Sequence, residues 1–362
     1  MNRIFLPRLV LACVLAPLAA SGATAFAAPG SHAKQQDAKA DADGSKKDKD
    51  NDSPVTSSAL KHPVLWQQRN NISSLDLLWG QGGQKHAPAP PFTFESEGKN
   101  GTNPKFDVTD TNGTHWRCKL GDEARPEVVA SRLLWAVGYY VNDDYLLPEA
   151  SIGNIHLKRG GNLVKDGRVE DVRFARKPGG QKKIGTWEWK KNPFYGSREF
   201  NGLRVMMAVM NNWDLKDENN SVYQDKKTGQ QIFLVNDVGA TFGSNGLVFS
   251  KAHAKGNVGN FKDSKFITRV NGDTVDFGTP KAPTSVLLLS AGTNAIYYGK
   301  RKALEWIGRD IPVADARWMG SQLSQISHQQ LVDAFRAGNF PIEAIDEYVQ
   351  VVESRIQELK GL

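Results

Sequence analysis

The sequence predicts an α+β protein with two lobes, an antiparallel sheet with one helix followed by a mainly helical lobe. Alternation of apolar and polar residues marks strands between residues 92 and 119, including a hairpin that turns at Asn112-Gly113. Apolar residues three or four apart mark a helix over residues 200–210. The same helical spacing runs through about the last 60 residues, so the second lobe is expected to be rich in helix.

Length and composition allow hydrophobic cores and exclude several classes of protein. The chain has 362 residues, of which 40% are hydrophobic, which suits one large or two smaller domains. Its formal net charge of +7 fits an anionic ligand such as a nucleotide or a phospholipid, but basicity alone specifies no partner. The His and Cys spacing does not match a zinc site, no Gly-x-Ser-x-Gly motif indicates a hydrolase, and no nucleic-acid partner is expected.

The first 27 residues have the organisation of a secretory signal peptide. Arg3 and Arg8 accompany an apolar run over 9–20, and Ala25-Phe26-Ala27 is a small-x-small cleavage site. Cys13 is an alternative site for a lipid anchor, but the residues before it match that signal poorly, so cleavage after the alanine is favoured. No other apolar run is long enough to span a bilayer. The sequence therefore predicts a periplasmic or secreted protein.

Composition divides the remaining chain into four segments. Residues 28–61 have almost no large apolar side chains, so they cannot form a core and are predicted to be a disordered linker. Residues 62–91 form an N-terminal extension that ends in a Pro/Gly-rich connector. The sheet-rich lobe is then predicted over 92–190 and the helical lobe over 191–362.

The most informative stretch lies in the second lobe, where acidic and amide residues crowd between apolar segments. A helix that ends near Met210 leads into Asp214-Leu215-Lys216-Asp217-Glu218-Asn219, and a buried strand over 232–235 then delivers Asp237 into a glycine-bounded loop. Asp and Asn side chains in these positions supply hard oxygen ligands of the kind that magnesium prefers. The alternative is a solvated surface hairpin in which the same residues are ordinary turn formers.

These two loops resemble those of the protein-kinase-like superfamily. In the first, Asp214 is followed two residues later by Lys216 and five later by Asn219, as in the superfamily's catalytic loop. Asn236-Asp237-Val238-Gly239 resembles its metal-binding Asp-x-Gly loop. The flanking Asn-Trp-Asp and Gly-Ala-Thr-Phe-Gly sequences are closer to atypical members, the phosphatidylinositol-kinase-like and HipA-like kinases. The motifs cover about 40 residues, and a coarser match of lobe order extends from about residue 90.

The resemblance implies a two-lobed kinase-like fold that transfers a phosphoryl group from ATP to a hydroxyl. It implies that Asp214 is the catalytic base, that Lys216 steadies the transferring phosphate, and that Asn219 and Asp237 hold Mg²⁺ or Mn²⁺. The acceptor is left open among a protein, a lipid headgroup and a small molecule. The alternative function is a secreted pseudokinase, a nucleotide- or partner-binding scaffold without catalysis, because nucleotides are scarce outside the cytoplasm.

The first lobe carries the residues that the resemblance assigns to the nucleotide. A strand that ends in Lys119 precedes a helix that carries Glu127, and this pair is implied to hold the phosphates. Their spacing is shorter than is usual in the family, so Glu123 is an alternative partner. Taken singly, Lys119 also fits an edge-strand lysine, and Glu127 fits a carboxylate near a helix N-terminus. In the active, nucleotide-bound conformation we expect an ion pair with the two side chains within about 4 Å of each other.

The segment between the first two strands carries Gly98 and Gly101, where the family has a glycine-rich loop over the phosphates. The sequence lacks a Gly-x-Gly-x-x-Gly pattern, so these residues either let the backbone approach a phosphate or form a plain turn. Residues 159–183 are rich in Arg and Lys, which fits either a solvated face or attraction to an anionic surface. We also expect burial and like charge to destabilise Asp237 until a cation binds it.

Overall fold

The computed structural model describes residues 53–99, 103–176, 180–243, 255–281, 299 and 302–362. The predicted signal peptide, most of the predicted linker and Gly101 lie outside these ranges. The strands are β1 (Pro63–Val64), β2 (Phe92–Gly98), β3 (Lys105–Thr109), β4 (His115–Lys119), β5 (Asp144–Gly153), β6 (Arg168–Arg176), β7 (Gln181–Gly185), β8 (Asn220–Asp225), β9 (Gln231–Val235), β10 (Ile267–Asn271), β11 (Thr274–Phe277) and β12 (Ile311–Pro312). The helices are α1 (Ala124–Ala136), α2 (Arg198–Val209), α3 (Val258–Asp263), α4 (Val313–Leu323), α5 (His328–Ala337) and α6 (Ile342–Gly361).

The first lobe is a closed barrel of five strands in the order β2-β3-β4-β6-β5. Neighbouring strands are antiparallel, except that β2 and β5 run parallel where Phe92 pairs with Ile152. The barrel encloses its own apolar core, which includes the fully buried Phe106, Trp116 and Phe174. The predicted antiparallel sheet is present, but it closes on itself because β5 returns to β2.

Helix α1 follows barrel strand β4 in sequence but packs into the core of the second lobe. Pro126 lies in its first turn, where a missing N–H breaks no helical hydrogen bond. Gly138, at φ +102°, lies just past its end. Val129, Leu133 and Leu134 belong to the apolar cluster that also contains residues of α2, α5 and α6. The helix therefore lies against the barrel but is fixed to the second lobe.

The second lobe combines helices with two small sheets. One has the order β1-β9-β8-β7, so β7 belongs here although the sequence placed it in the first lobe, and the other has the order β10-β11-β12. Helix α2 begins after the cap residue Ser197, whose hydroxyl accepts the Phe200 N–H at 3.2 Å. Helix α5 begins with a capping box formed by Ser327 and Gln330. The lobe thus contains more strand than the sequence predicted.

The chain that precedes the barrel packs on the second lobe. The Val55 N–H donates to the Thr186 carbonyl at 2.9 Å, and β1 lies parallel to β9. Ile72 is buried in the second lobe's apolar cluster. Residues 53–61, which the sequence assigned to the linker, are therefore packed on the second lobe. Within the described ranges, no helix has the length and apolar character needed to cross a bilayer.

Candidate active site

Lys119 lies where the barrel, helix α1 and the loop after β9 meet. Its ammonium is 2.6 Å from a carboxylate oxygen of Glu127, 3.0 Å from Asp237 and 3.2 Å from Glu123. The structure contains an ion pair between Lys119 and Glu127, and Glu123 contacts the lysine as well. The role of this pair in binding phosphates stays a prediction. Both glutamates reach it because residues four apart share one face at the start of a helix.

The three carboxylates determine the charge state of Lys119. Burial by itself would lower the pKa of the ammonium, but the charges of Asp237, Glu127 and Glu123 outweigh it and raise the pKa above its ordinary value. Burial would likewise raise the pKa of Asp237, but Lys119 and Lys105 more than offset this and hold it well below its usual range. Lys119 and Asp237 are therefore both charged at neutral pH.

Arg173 of β6 contacts Glu127 from the other side. Its guanidinium is 3.4 Å from Glu127 and 3.4 Å from Asp144, which also accepts the Ser131 hydroxyl at 2.6 Å. Burial raises the pKa of Glu127, although Arg173 and Lys119 oppose the shift. Arg173 was counted in the predicted basic face, but it is only 5% exposed and binds α1 instead of facing solvent.

Asp237 lies in the loop after β9 and contacts two lysines. Besides Lys119, the ammonium of Lys105 in β3 lies 3.8 Å from the Asp237 carboxylate. The Asp237 side chain is 30% exposed and that of Lys119 only 1%, so the carboxylate is the more accessible partner of this pair. The expectation that Asp237 is destabilised until a cation binds it is wrong, because the two lysines already balance its charge.

Gly239 occupies the glycine position of the Asp-x-Gly loop, where the loop meets the start of α1. A Cβ atom at this position would lie 2.6 Å from the Cβ of Glu123 and 2.8 Å from its backbone oxygen. No side chain fits there unless the loop or the helix moves. The absence of a side chain at Gly239 therefore lets Asp237 approach Lys119.

The predicted catalytic loop lies beside the loop that carries Asp237. The Asn236 N–H donates to the Asn219 carbonyl at 2.8 Å, which joins the two loops through their backbones. The Asn219 side-chain nitrogen donates to the Asp214 carbonyl at 2.7 Å. The Lys216 ammonium lies 3.4 Å from the Asp214 carboxylate. The structure thus brings both predicted loops together at the edge of the Lys119 network.

Two asparagines at the end of α2 determine where the catalytic loop begins. Asn211 has a φ of +57°, a left-handed conformation that ends a helix, and its amide donates to the Gly243 carbonyl at 2.5 Å. The buried side-chain oxygen of Asn212 accepts the Asp214 N–H at 3.0 Å. The helix end therefore holds the backbone of Asp214 in place.

Gly98 ends strand β2 directly across from Lys105 in the barrel register. Its carbonyl accepts a hydrogen bond from the Arg159 guanidinium at 2.6 Å. The other predicted glycine, Gly101, lies outside the described residues. Gly98 therefore ends a strand beside Lys105. That Gly98 contacts a phosphate stays a prediction.

The donor set fits a hard divalent cation. Asp237 offers a partly exposed carboxylate. The side-chain nitrogen of Asn219 donates to the Asp214 carbonyl, so the side-chain oxygen of Asn219 can act as a metal ligand. Among the described residues there is no group of three or more His, Cys, Asp or Glu that could hold a metal ion. A cation here would also need oxygens of a bound molecule, as Mg²⁺ does when it bridges phosphates.

Sequence reasoning missed Lys105 and Arg173, the two cations that flank Lys119. In the barrel register Lys105 pairs with Lys119, and Lys119 pairs with Arg173. The β3-β4 hairpin register could have revealed Lys105, because hairpin pairing follows from the turn. No local signal identifies Arg173, since β6 is separated from β4 by a helix and a strand.

Comparisons with known proteins find only remote similarity. No protein-family model matches the sequence, and a search of curated proteins finds no match. Among solved structures, the chain is similar to the Helicobacter pylori proinflammatory kinase CtkA, at 10% identity over 75% of this chain and 99% of that chain, with a TM-score of 0.39. It is also similar to the Golgi casein kinase, at 10% identity over 82% of this chain and 75% of that chain, with a TM-score of 0.36. The fold of this chain is an α+β fold, in which a closed five-stranded barrel is followed by a lobe of helices and two small sheets.

Proposed function

We propose that this protein is an ATP- and metal-dependent phosphotransferase that acts on a hydroxyl group outside the cytoplasm. The observation that carries the proposal is the contact of one buried lysine, Lys119, with both Glu127 of α1 and Asp237 of the loop after β9. A strand lysine, a helix glutamate and a loop aspartate are the parts that position nucleotide phosphates and metal in kinase-like sites.

Each residue of the site has a role in this reaction. Lys119 binds the phosphates of ATP, while Asp237 and Asn219 hold Mg²⁺ or Mn²⁺, which when bound neutralises charge on the phosphate oxygens. The acceptor hydroxyl oxygen forms a bond to the γ-phosphorus as the bond from that phosphorus to the ADP oxygen breaks. Asp214 takes the hydroxyl proton, and Lys216 steadies the transferring phosphoryl group.

The acceptor is a hydroxyl of a protein, a lipid headgroup or a small molecule. The exposed Lys165, Arg168 and Lys182 favour an anionic surface as a partner, because they add positive charge that attracts anions. The location outside the cytoplasm rests on the signal-peptide pattern of the first 27 residues.

The test is metal-dependent ATP binding and phosphoryl transfer by the full chain, offered protein, lipid-vesicle and sugar acceptors. Lys119→Met is expected to lose ATP binding. Asp214→Asn should bind ATP but lose transfer by about 100-fold or more, since general-base catalysis contributes at least that much. Asp346→Asn, which neutralises an exposed carboxylate on α6, is the matched control.

The outcomes separate the candidate functions. ATP binding by the wild type without transfer to any acceptor class, including its own chain, would favour the pseudokinase scaffold. The absence of both binding and transfer would overturn the proposed function. An Asp214→Asn variant as active as the control would remove Asp214 from the catalytic role.

A further inference from the structure

The barrel carries a row of three cationic side chains next to the candidate site. Lys105, Lys119 and Arg173 lie directly opposite one another on the adjacent strands β3, β4 and β6. Like charges in cross-strand positions destabilise a sheet. The row therefore depends on nearby anions for its stability.

The three cations differ in how many carboxylates contact them among the described residues. Lys119 contacts three of them, and Arg173 contacts two. Within the part of the chain that the structure describes, Lys105 has one carboxylate within 4 Å, that of Asp237, at 3.8 Å. Lys105 is thus the cation of the row with the weakest charge compensation.

Lys105 is also the more accessible of the two lysines. Its side chain is 25% exposed and that of Lys119 is 1% exposed. Across the sheet it faces Gly98, where a Cβ would lie only 3.3 Å from the Cβ of Lys105.

We propose that Lys105 is a second phosphate-binding lysine, which together with Lys119 binds the polyphosphate chain of the nucleotide. This inference rests on the proposed function. When Asp237 acts as a metal ligand, its carboxylate is shared with the metal, and phosphate oxygens supply the anion that Lys105 then lacks. Two adjacent ammonium groups balance more of the charge of a triphosphate than one does.

The test measures binding of ATP, inorganic tripolyphosphate and adenosine, each with Mg²⁺, to the full chain by titration calorimetry. Lys105→Met should weaken binding of ATP and of tripolyphosphate by at least about tenfold, the size of one lost charged hydrogen bond, and leave adenosine binding unchanged. Lys105→Arg keeps the charge and should retain most of the affinity. Lys191→Met removes one positive charge from a side chain that is 81% exposed, and should change none of the three affinities.

Each other outcome counts against a different claim. If wild type and Lys105→Met bind ATP equally, the inference is overturned and the proposed function stands. If Lys105→Met loses adenosine as strongly as ATP, Lys105 acts on the shape of the site and does not bind phosphate. If the wild type binds tripolyphosphate but not ATP, the nucleotide function fails, and the variant's loss of tripolyphosphate still identifies Lys105 as a phosphate ligand. If the wild type binds neither anion, both claims fail.

Discussion

The candidate site has a barrel side and a second-lobe side, and different kinds of interaction hold each side in place. On the barrel side, Lys119 and Arg173 both contact the buried carboxylate of Glu127 in α1. On the second-lobe side, the Asn236 N–H donates to the Asn219 carbonyl and joins the two predicted loops. Removing one partner of a buried ion pair costs several kcal/mol, whereas one hydrogen bond contributes about 1 kcal/mol. The barrel side should therefore be much more sensitive to a single substitution.

The apolar cores explain why charge has this role on the barrel side. The barrel encloses one core, and α1 belongs to the other, so among the described residues no single apolar cluster spans the contact between them. Polar contacts link the barrel to its neighbours: Asp171 of β6 accepts from Arg125 of α1 at 2.5 Å and from Asn339 after α5 at 2.8 Å. Helix α1 thus holds Glu127 on the second lobe, and the barrel contacts this carboxylate mainly through charge.

The largest effect is expected from Glu127→Ala. The substitution leaves Lys119 and Arg173 buried without their shared carboxylate, so the free energy of unfolding should fall by about 3 kcal/mol or more. Chemical denaturation measures the change. Glu149→Ala is the control, because Glu149 forms an exposed barrel pair with Arg168 at 3.9 Å and its loss should change stability by less than about 1 kcal/mol. If the two substitutions lowered the free energy of unfolding equally, the buried ion pairs would stabilise the protein no more than the exposed pair does.

A smaller effect is expected from Asp237→Asn in metal-free buffer. The variant loses the charge that balances Lys119 and Lys105, so the free energy of unfolding should fall by about 1 to 3 kcal/mol. Thermal-shift titrations with ATP and metal should also lose their metal-dependent component. An empty variant as stable as wild type, or more stable, would mean that the lysines do not balance this carboxylate. Asp346→Asn on α6 provides the control for both measurements.

The smallest effect on stability is expected from Asn219→Ala. Its side-chain hydrogen bond to the Asp214 carbonyl is lost, but the backbone hydrogen bond from Asn236 remains, so the free energy of unfolding should fall by about 1 kcal/mol or less. Metal-dependent ATP binding should nevertheless weaken, because a proposed metal ligand is gone. Chemical denaturation and calorimetry measure the two effects separately. A loss of stability as large as that of Glu127→Ala would contradict the difference between the two sides.

Local sequence by itself determined the elements that carry the site and their order along the chain. The cap at Ser197, the capping box at Ser327 and the hairpin between β10 and β11 were all predictable, because caps and tight turns depend on residues a few positions apart. The same holds for the spacing of Asp214 and Asn219 within one loop. Lys119 and Glu127 were also predictable as a pair, since a strand end and the following helix start lie close in sequence.

Only the tertiary structure decided what surrounds Lys119. The pairing of β4 with β6 brings Arg173 beside it, and the position of the loop after β9 brings Asp237 within reach of Lys105. The packing of α1 into the second lobe, and the position of β7 outside the barrel, were likewise invisible in the sequence. Alternation along a strand tells which residues share a face, but it does not encode which distant strand lies alongside. The charge balance of Asp237 therefore could not be predicted, because both of its lysines come from another lobe.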